Sequence, residues 1–415
     1  MKTSFASLLA TVATLGAASA VEGLYYIGSE AQESLPLKWV VGVNATYDDN
    51  VTPTALGVGS NDSAFSVNPY VGVSFVNMTP QSTLDVYARL GVIYYLDQIA
   101  AAGTDDLYPQ ARVGLNWTHR FSERLRFSSR NFVAYELEPD YAYGFATSRQ
   151  LDAYLYWQTD NSVGYRWTER LATYTGFNVT GLDYDSAVTN SDRLIWGVYQ
   201  QFRYQLTPQT VGTFDYRYNQ SDADGLAADS ESHYLLLGLE HRFSPNTIVV
   251  AKAGAQIRKS DAVNGSDSTN PYAEVALRSR INDVFSVRSF VRYGSEPYDT
   301  VRQLVPAGDL FDFDDRRTLR LGVSGEYALS PMLSLFGGVD YIAASFDDGR
   351  NVTGVVPATA SGIDEDLLNA YVGVSVKFNE GLYGTLSYNY TDSSSDFVGY
   401  SYDRNRVNLG IRAEF

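Results

Sequence analysis

The chain has 415 residues, with 31 Lys and Arg against 48 Asp and Glu, a formal net charge of −17 and no cysteine. Such acidity argues against a nucleic-acid partner, because phosphate binding needs a basic surface. Without cysteine there is no disulfide framework, thiolate zinc site or cysteine nucleophile. Tyr, Phe and Gly number 32, 20 and 34, a composition that favours strands.

Residues 1–20 read as a secretory signal. Lys2 supplies the positive start, Phe5 to Ala17 an apolar stretch, and Ala18-Ser19-Ala20 the small-x-small pattern of a cleavage site. Residues 21–35 are expected to form a short periplasmic N-terminal segment, and 36–415 a single β-architecture. No later stretch approaches the roughly 18 to 20 apolar residues of a membrane-crossing helix.

From Leu37 to Phe415 apolar and polar residues alternate with period two, the signature of strands with one polar face. Leu37, Trp39, Val41, Val43, Ala45 and Tyr47 open the series. Leu84, Val86, Ala88, Leu90, Val92 and Tyr94 continue it, as do Leu368, Ala370, Val372, Val374, Val376 and Phe378. Val407, Leu409, Ile411, Ala413 and Phe415 end it. Arg126 to Asn131 is the weakest stretch, polar on both faces.

Eight connections are tight and carry turn residues. They are Thr79-Pro80-Gln81, Ser122-Glu123-Arg124, Thr168-Glu169-Arg170, Thr207-Pro208-Gln209, Ser244-Pro245-Asn246, Ile281-Asn282-Asp283, Ser330-Pro331-Met332 and Asn379-Glu380-Gly381. They alternate with nine longer polar connections, among them Ser295 to Arg316 and Asp347 to Asp366. Eight and nine connections join eighteen strands, to within two, so sixteen is the lower bound.

Short turns at one end and long loops at the other describe an all-β, up-and-down antiparallel meander. In every strand one register keeps Asp, Glu, Lys and Arg off the apolar face, as lipid demands: Lys or Arg facing the bilayer midplane costs about 2 to 4 kcal/mol. Trp117, Phe121, Trp167, Phe243 and Phe378 lie near the tight turns, and Tyr47, Tyr94, Tyr216 and Tyr388 near the long loops. Aromatics at both strand ends are the girdles of a transmembrane barrel.

The chain thus resembles outer-membrane β-barrels of Gram-negative envelopes. The motif Thr46-Tyr47-Asp48-Asp49-Asn50-Val51 is similar to the opening of the β-barrel porin type 2 family. The resemblance implies a pore of unspecified cargo, set in outer-membrane lipid and lipopolysaccharide. It also implies that the alternating residues Val407 to Phe415 are the signal offered to the barrel-assembly machinery, and it brings a homotrimer into view.

A wall of 16 to 18 strands is too wide to be filled by its own side chains and encloses water. The function expected is passive diffusion of small polar solutes. Residues expected to line the pore are Arg89, Arg112, Arg130, Arg166, Arg203, Arg278, Arg288, Arg292, Arg320 and Arg412, with the acids Asp85, Asp152, Glu240, Glu274, Glu326 and Asp340. They would either set a transverse field or brace the wall as Arg–carboxylate pairs. Tyr87, Tyr108, Tyr154, Tyr156, Tyr199 and Tyr371 also fall on this face, to stack on sugar rings or to fill the wall. The two longest acidic loops would either fold into the lumen or stay solvated, and the acids around Asp312 are oxygen ligands of the kind Ca²⁺ takes, without the full ligand spacing.

No catalytic residue, metal site or cofactor is expected. The three histidines, His119, His233 and His241, fall on the outer face, away from any Ser–Asp set. Two other functions remain compatible with the pattern: a surface barrel whose acidic loops bind a partner, polymer or cations, and a conduit for exopolysaccharide export.

Overall fold

The structure, a computed structural model, describes residues 37–51, 63–97, 106–137, 153–185, 192–262, 265, 267–297, 300–304, 308–354, 359–397 and 400–415. The expected signal peptide, the segment 21–35, the loop Glu138 to Ser148 and the lining candidate Asp152 lie outside them.

The described residues hold strands and no helix. The first five strands are β1 (Leu37–Asp48), β2 (Ala64–Met78), β3 (Ser82–Tyr95), β4 (Leu107–Arg120) and β5 (Leu125–Glu136). Then come β6 (Tyr154–Arg166), β7 (Leu171–Tyr184), β8 (Arg193–Thr207), β9 (Thr210–Ala223) and β10 (Ser230–Ser244). Next are β11 (Thr247–Ser260), β12 (Ser268–Arg280), β13 (Phe285–Ser295), β14 (Val301–Gln303) and β15 (Leu310–Ser330). The last are β16 (Leu333–Asn351), β17 (Thr359–Ala360), β18 (Ile363–Lys377), β19 (Leu382–Ser395) and β20 (Tyr402–Glu414). Setting aside the short β14 and β17, the other eighteen pair antiparallel with their neighbours in chain order.

The sheet closes on itself. β1 pairs with β20 from Val40 opposite Glu414 to Asp48 opposite Arg406, and Trp39 and Phe415 exchange both backbone hydrogen bonds at 3.0 and 2.9 Å. Closure leaves no sheet edge, which lipid would not satisfy.

All eight expected tight turns are present, and each is pinned by a side chain. The Thr79, Ser122, Thr168, Asn282 and Asn379 oxygens accept from the backbone N–H three residues on, at 2.8 to 3.0 Å. In the Thr207, Ser244 and Ser330 turns the acceptor serves the N–H two residues on, at 3.2 or 3.3 Å. Short polar side chains that mimic a backbone turn explain why Ser, Thr and Asn recur there.

The alternation sorts side chains as the sequence reading expects. Along β10, Leu235, Leu237 and Leu239 are 46%, 70% and 45% exposed, whereas Leu236 and Glu240, on the opposite face, are buried. Phe121, Trp167, Phe243 and Phe378 project at the tight-turn end, and Tyr47, Tyr94, Tyr216 and Tyr388 at the other. An outer surface of exposed Leu, Val and aromatics around a charged interior is a soluble protein turned inside out, the arrangement of a barrel solvated by lipid.

Two long connections differ from expectation. Leu310 to Arg316, read as loop, belongs to the 21-residue strand β15, and β16 runs through Asp347 to Asn351. At about 3.3 Å per residue, β15 spans roughly 70 Å, far more than a tilted crossing needs. The excess folds into a roof. Phe313, Phe346 and Phe397 meet edge to face at 5.0 to 5.7 Å between ring centroids. Phe311 and Ala344 complete this cluster. The Ala228 N–H, in the β9–β10 connection, donates to Asp312 at 3.0 Å, tying that connection to the extended end of β15.

Candidate functional site

The inner face of the wall is a concave surface lined by charge. The strand period places every described lining candidate on it, and cross-strand register decides which of them meet. Arg89 stands opposite Arg112 on β3 and β4. Arg89 lies 3.7 Å over the Tyr70 ring, and Arg112 bonds Glu136. Arg130 pairs with Asp160 at 3.4 Å, and the Tyr199 hydroxyl donates to the same carboxylate at 2.9 Å.

The sector from β8 to β12 carries a network of ion pairs, with Gln201 linking Arg203 to Asp215. Arg203 bonds Glu240. Arg217 bonds Glu274 at 2.9 Å. Lys252, its side chain wholly buried, lies between Asp215 at 3.1 Å and Glu274 at 3.8 Å. Tyr272 donates to Glu274 at 2.7 Å. These bonds run along the wall and tie β8 to β10, β9 to β11 and β9 to β12, the geometry of bracing.

Register places the other candidates as follows. Asp85 faces Asn116 rather than an arginine, Asp340 is opposite Gly322, and Arg166 is opposite Ala172. Arg412 lies 5.0 Å over Tyr383 and 3.3 Å from Glu414. Arg278 stands opposite Arg288 on β12 and β13, a juxtaposition of like charge, with Glu326 opposite Ser286 on the next strand.

At the mouth Glu296, just past β13, gathers three guanidiniums: Arg292 at 2.6 Å, Arg320 at 2.7 Å and Arg316 at 3.3 Å. Burial alone would raise its carboxyl, but the Arg320, Arg292 and Arg316 charges outweigh burial and hold it well below the usual carboxylate range. The Asp312 cluster is likewise engaged by protein. Arg350 bonds Asp312 and, at 2.8 Å, Asp314, and Asn270 donates to Asp315 at 3.1 Å.

Several lumen tyrosines fill the wall. The Tyr87 ring lies flat on Gly114, and the Tyr199 ring on Gly176, close enough that a Cβ at either glycine would meet ring atoms. Tyr371 covers Gly338 in the same way. The glycines are therefore seats for rings that would otherwise project into the channel.

The candidate set omitted Lys252, Arg217, Asp215, Asp160, Glu136 and Glu296. The signal for the strand residues was present. Asp215 and Arg217 alternate with the exposed Phe214 and Tyr216, and Lys252 stands between Ala251 and Ala253.

No protein-family model matches the chain, so the type 2 porin likeness gains no support from one. No curated protein matches. Solved structures similar to it include OpdK of Pseudomonas aeruginosa, 15% identical over 91% of this chain and 99% of that one, with a TM-score of 0.46. OccAB4 of Acinetobacter baumannii is 14% identical over 92% and 99%, at 0.44. The siderophore receptor PirA of P. aeruginosa is 8% identical over 93% and 81%, at 0.42.

Proposed function

We propose that the protein is an outer-membrane channel for the passive diffusion of small polar solutes. One observation carries this reading: eighteen strands close into a wall whose outer face is exposed and apolar and whose inner face bears the charges. Barrels of this strand number leave an aqueous interior, and water passes such an interior wherever the mouth is not sealed. The wall network and the tyrosine–glycine seats support a rigid bore, and the roof supports a mouth narrower than the barrel.

Arg278 and Arg288 are the pair we assign to solute and ion preference, because their juxtaposition concentrates positive charge on one side of the bore. The histidines fit no hydrolytic constellation. His241 meets Thr210 at 2.9 Å and His233 meets Tyr216 at 2.9 Å, both on the outer face. The partners in this reading are lipid and lipopolysaccharide outside, solutes inside, and the assembly machinery, which would read Val407 to Phe415 on β20. The acids of the roof are engaged by Arg350, Ala228 and Asn270, which favours a structural use of them over capture of a polymer or cations.

Planar-bilayer recording of the refolded full-length protein tests the reading. Steady open-channel steps are expected. A silent bilayer, with the barrel folded and inserted, would replace the channel by the surface-binding barrel.

A further inference from the structure

The outer face is apolar almost everywhere, and the exception is local. On β5 and β6 four side chains at mid-height of the wall point outward and close a hydrogen-bonded ring. Ser129 donates to Asn161 at 2.7 Å, Asn161 to Thr159 at 2.6 Å, Thr159 to Asn131 at 2.7 Å, and Asn131 back to Ser129 at 2.9 Å. Their outward direction follows from register. Trp117 is opposite Ser129 and Val133 opposite Trp157, and the exposed Val133 and Val163 stand on the same faces two residues away from Asn131 and Asn161. The polar strip continues on β7 and β8, where Thr175 donates to Gln200, beside the exposed pair Phe177 and Val198.

At the same depth elsewhere the wall shows hydrocarbon to hydrocarbon. Leu235 and Leu237 occupy it on β10, Leu386 on β19, and Leu409 and Ile411 on β20. Across the barrel, the outer face of β13 to β18 has an apolar hollow of about 490 Å³ lined by Val287, Val323, Val339 and Val372.

The ring uses one N–H of each amide, and each amide has two together with an oxygen that accepts twice. Acyl chains offer nothing to the remaining capacity, and unmet polar groups in hydrocarbon are costly. Only polypeptide supplies donors and acceptors at that depth. A copy of the same ring is self-complementary, since amides both donate and accept, and two-fold contacts place one patch against itself. We propose that the outer face of β5 to β8 is the contact surface between copies of this chain in the membrane, with Asn131 and Asn161 at its centre. This rests on the barrel lying in lipid and not on its conducting.

The absence of native cysteine makes the test clean. Val163→Cys, beside the ring, and Val323→Cys, across the barrel, are placed singly in the full-length protein in outer-membrane vesicles and oxidised. The expected result is a covalent dimer of the chain from Val163→Cys and none from Val323→Cys. Equal dimer from both positions, no dimer from either, or a conjugate of Val163→Cys with another protein only, each overturns the proposal. In mild detergent the unmodified protein should run at a multiple of its monomer mass. Asn131→Leu/Asn161→Leu should run as a monomer that keeps its heat-modifiable gel mobility and its single-channel conductance. A double variant that stays assembled overturns the proposal. Loss of cross-linking with conduction intact removes the interface alone, and loss of conduction with cross-linking intact removes the channel alone.

Discussion

Glu296 holds Arg320 through both carboxylate oxygens, Oε1 at 2.7 Å from Nε and Oε2 at 2.8 Å from Nη2. This two-point grip is the strong, directional form of an arginine–carboxylate contact. It fixes the foot of the β13–β15 connection to the inner wall, and Arg292 and Arg316 complete the clasp.

Removing that charge should loosen the roof. Glu296→Gln leaves three buried or half-buried guanidiniums sharing a neutral amide, and breaking a buried ion pair from one side costs about 3 to 5 kcal/mol. The expected outcome is a folded barrel with increased current noise and faster proteolysis at the mouth, read by bilayer recording and limited digestion. Conductance noise identical to the parent would remove the clasp from the account.

The same carboxylate sets a pH expectation. Its pKa is depressed in the folded state, so its contribution is present above the unfolded value of about 4.3 and is lost only as pH falls through the lower folded value. Mouth proteolysis should therefore stay constant between pH 7 and about 4.5 and rise below pH 4. A rise beginning near pH 6 would point to another group.

Much of this architecture was written in the order of residues, and the losses have physical causes. Period two and the Ser, Thr and Asn turns sufficed for strand number and facing, because each is a local property, and closure followed from the cost of an open sheet edge in lipid. The acid-rich stretch Asp309 to Asp315 hid a strand. Phe311 and Phe313 alternate with Asp312 and Asp314, but the density of charge resembles a solvated loop until Arg350 and the phenylalanine cluster are in place. Pairing was the least legible level. Arg130 with Asp160, or Lys252 between Asp215 and Glu274, depends on the offset between strands, which no single strand encodes. The polarity of Arg126 to Asn131 on both faces was visible, and its reason, a ring shared with Thr159 and Asn161, was not.

Lys252 is a cation of the wall whose side chain is wholly buried. Lys252→Met should destabilise the barrel by about 3 to 5 kcal/mol, because Asp215 and Glu274 keep their burial and lose a counter-charge. Adding Asp215→Asn should recover part of the loss. Urea unfolding followed by gel mobility in liposomes measures both, and a parent-like midpoint for the single variant would contradict the bracing role.

The seat beneath Tyr87 gives a way to narrow the bore without touching charge. In Gly114→Leu the new side chain occupies the place of the ring, and the phenol must swing toward the lumen. Overpacking of this kind costs about 1 to 3 kcal/mol, which a wall of this size should survive. Single-channel conductance should fall while the reversal potential in a salt gradient stays the same. Unchanged conductance would place the Tyr87 ring out of the conduction path.

Arg278 and Arg288 test the selectivity assignment. They oppose each other across β12 and β13, two cations kept together where a mixed pair would be easier to hold, so their juxtaposition invites a use beyond bracing. Replacing both with Gln keeps length and hydrogen-bonding capacity and removes two positive charges from one side of the bore. Permeability to anions relative to cations should fall, shifting the zero-current potential toward the cation limit, and the shift should shrink at high salt as the charges are screened. Arg292→Gln is the control, because its charge is already committed to Glu296. If the Arg278→Gln/Arg288→Gln variant keeps the parent reversal potential while Arg292→Gln moves it, selectivity belongs to the mouth and not to this pair.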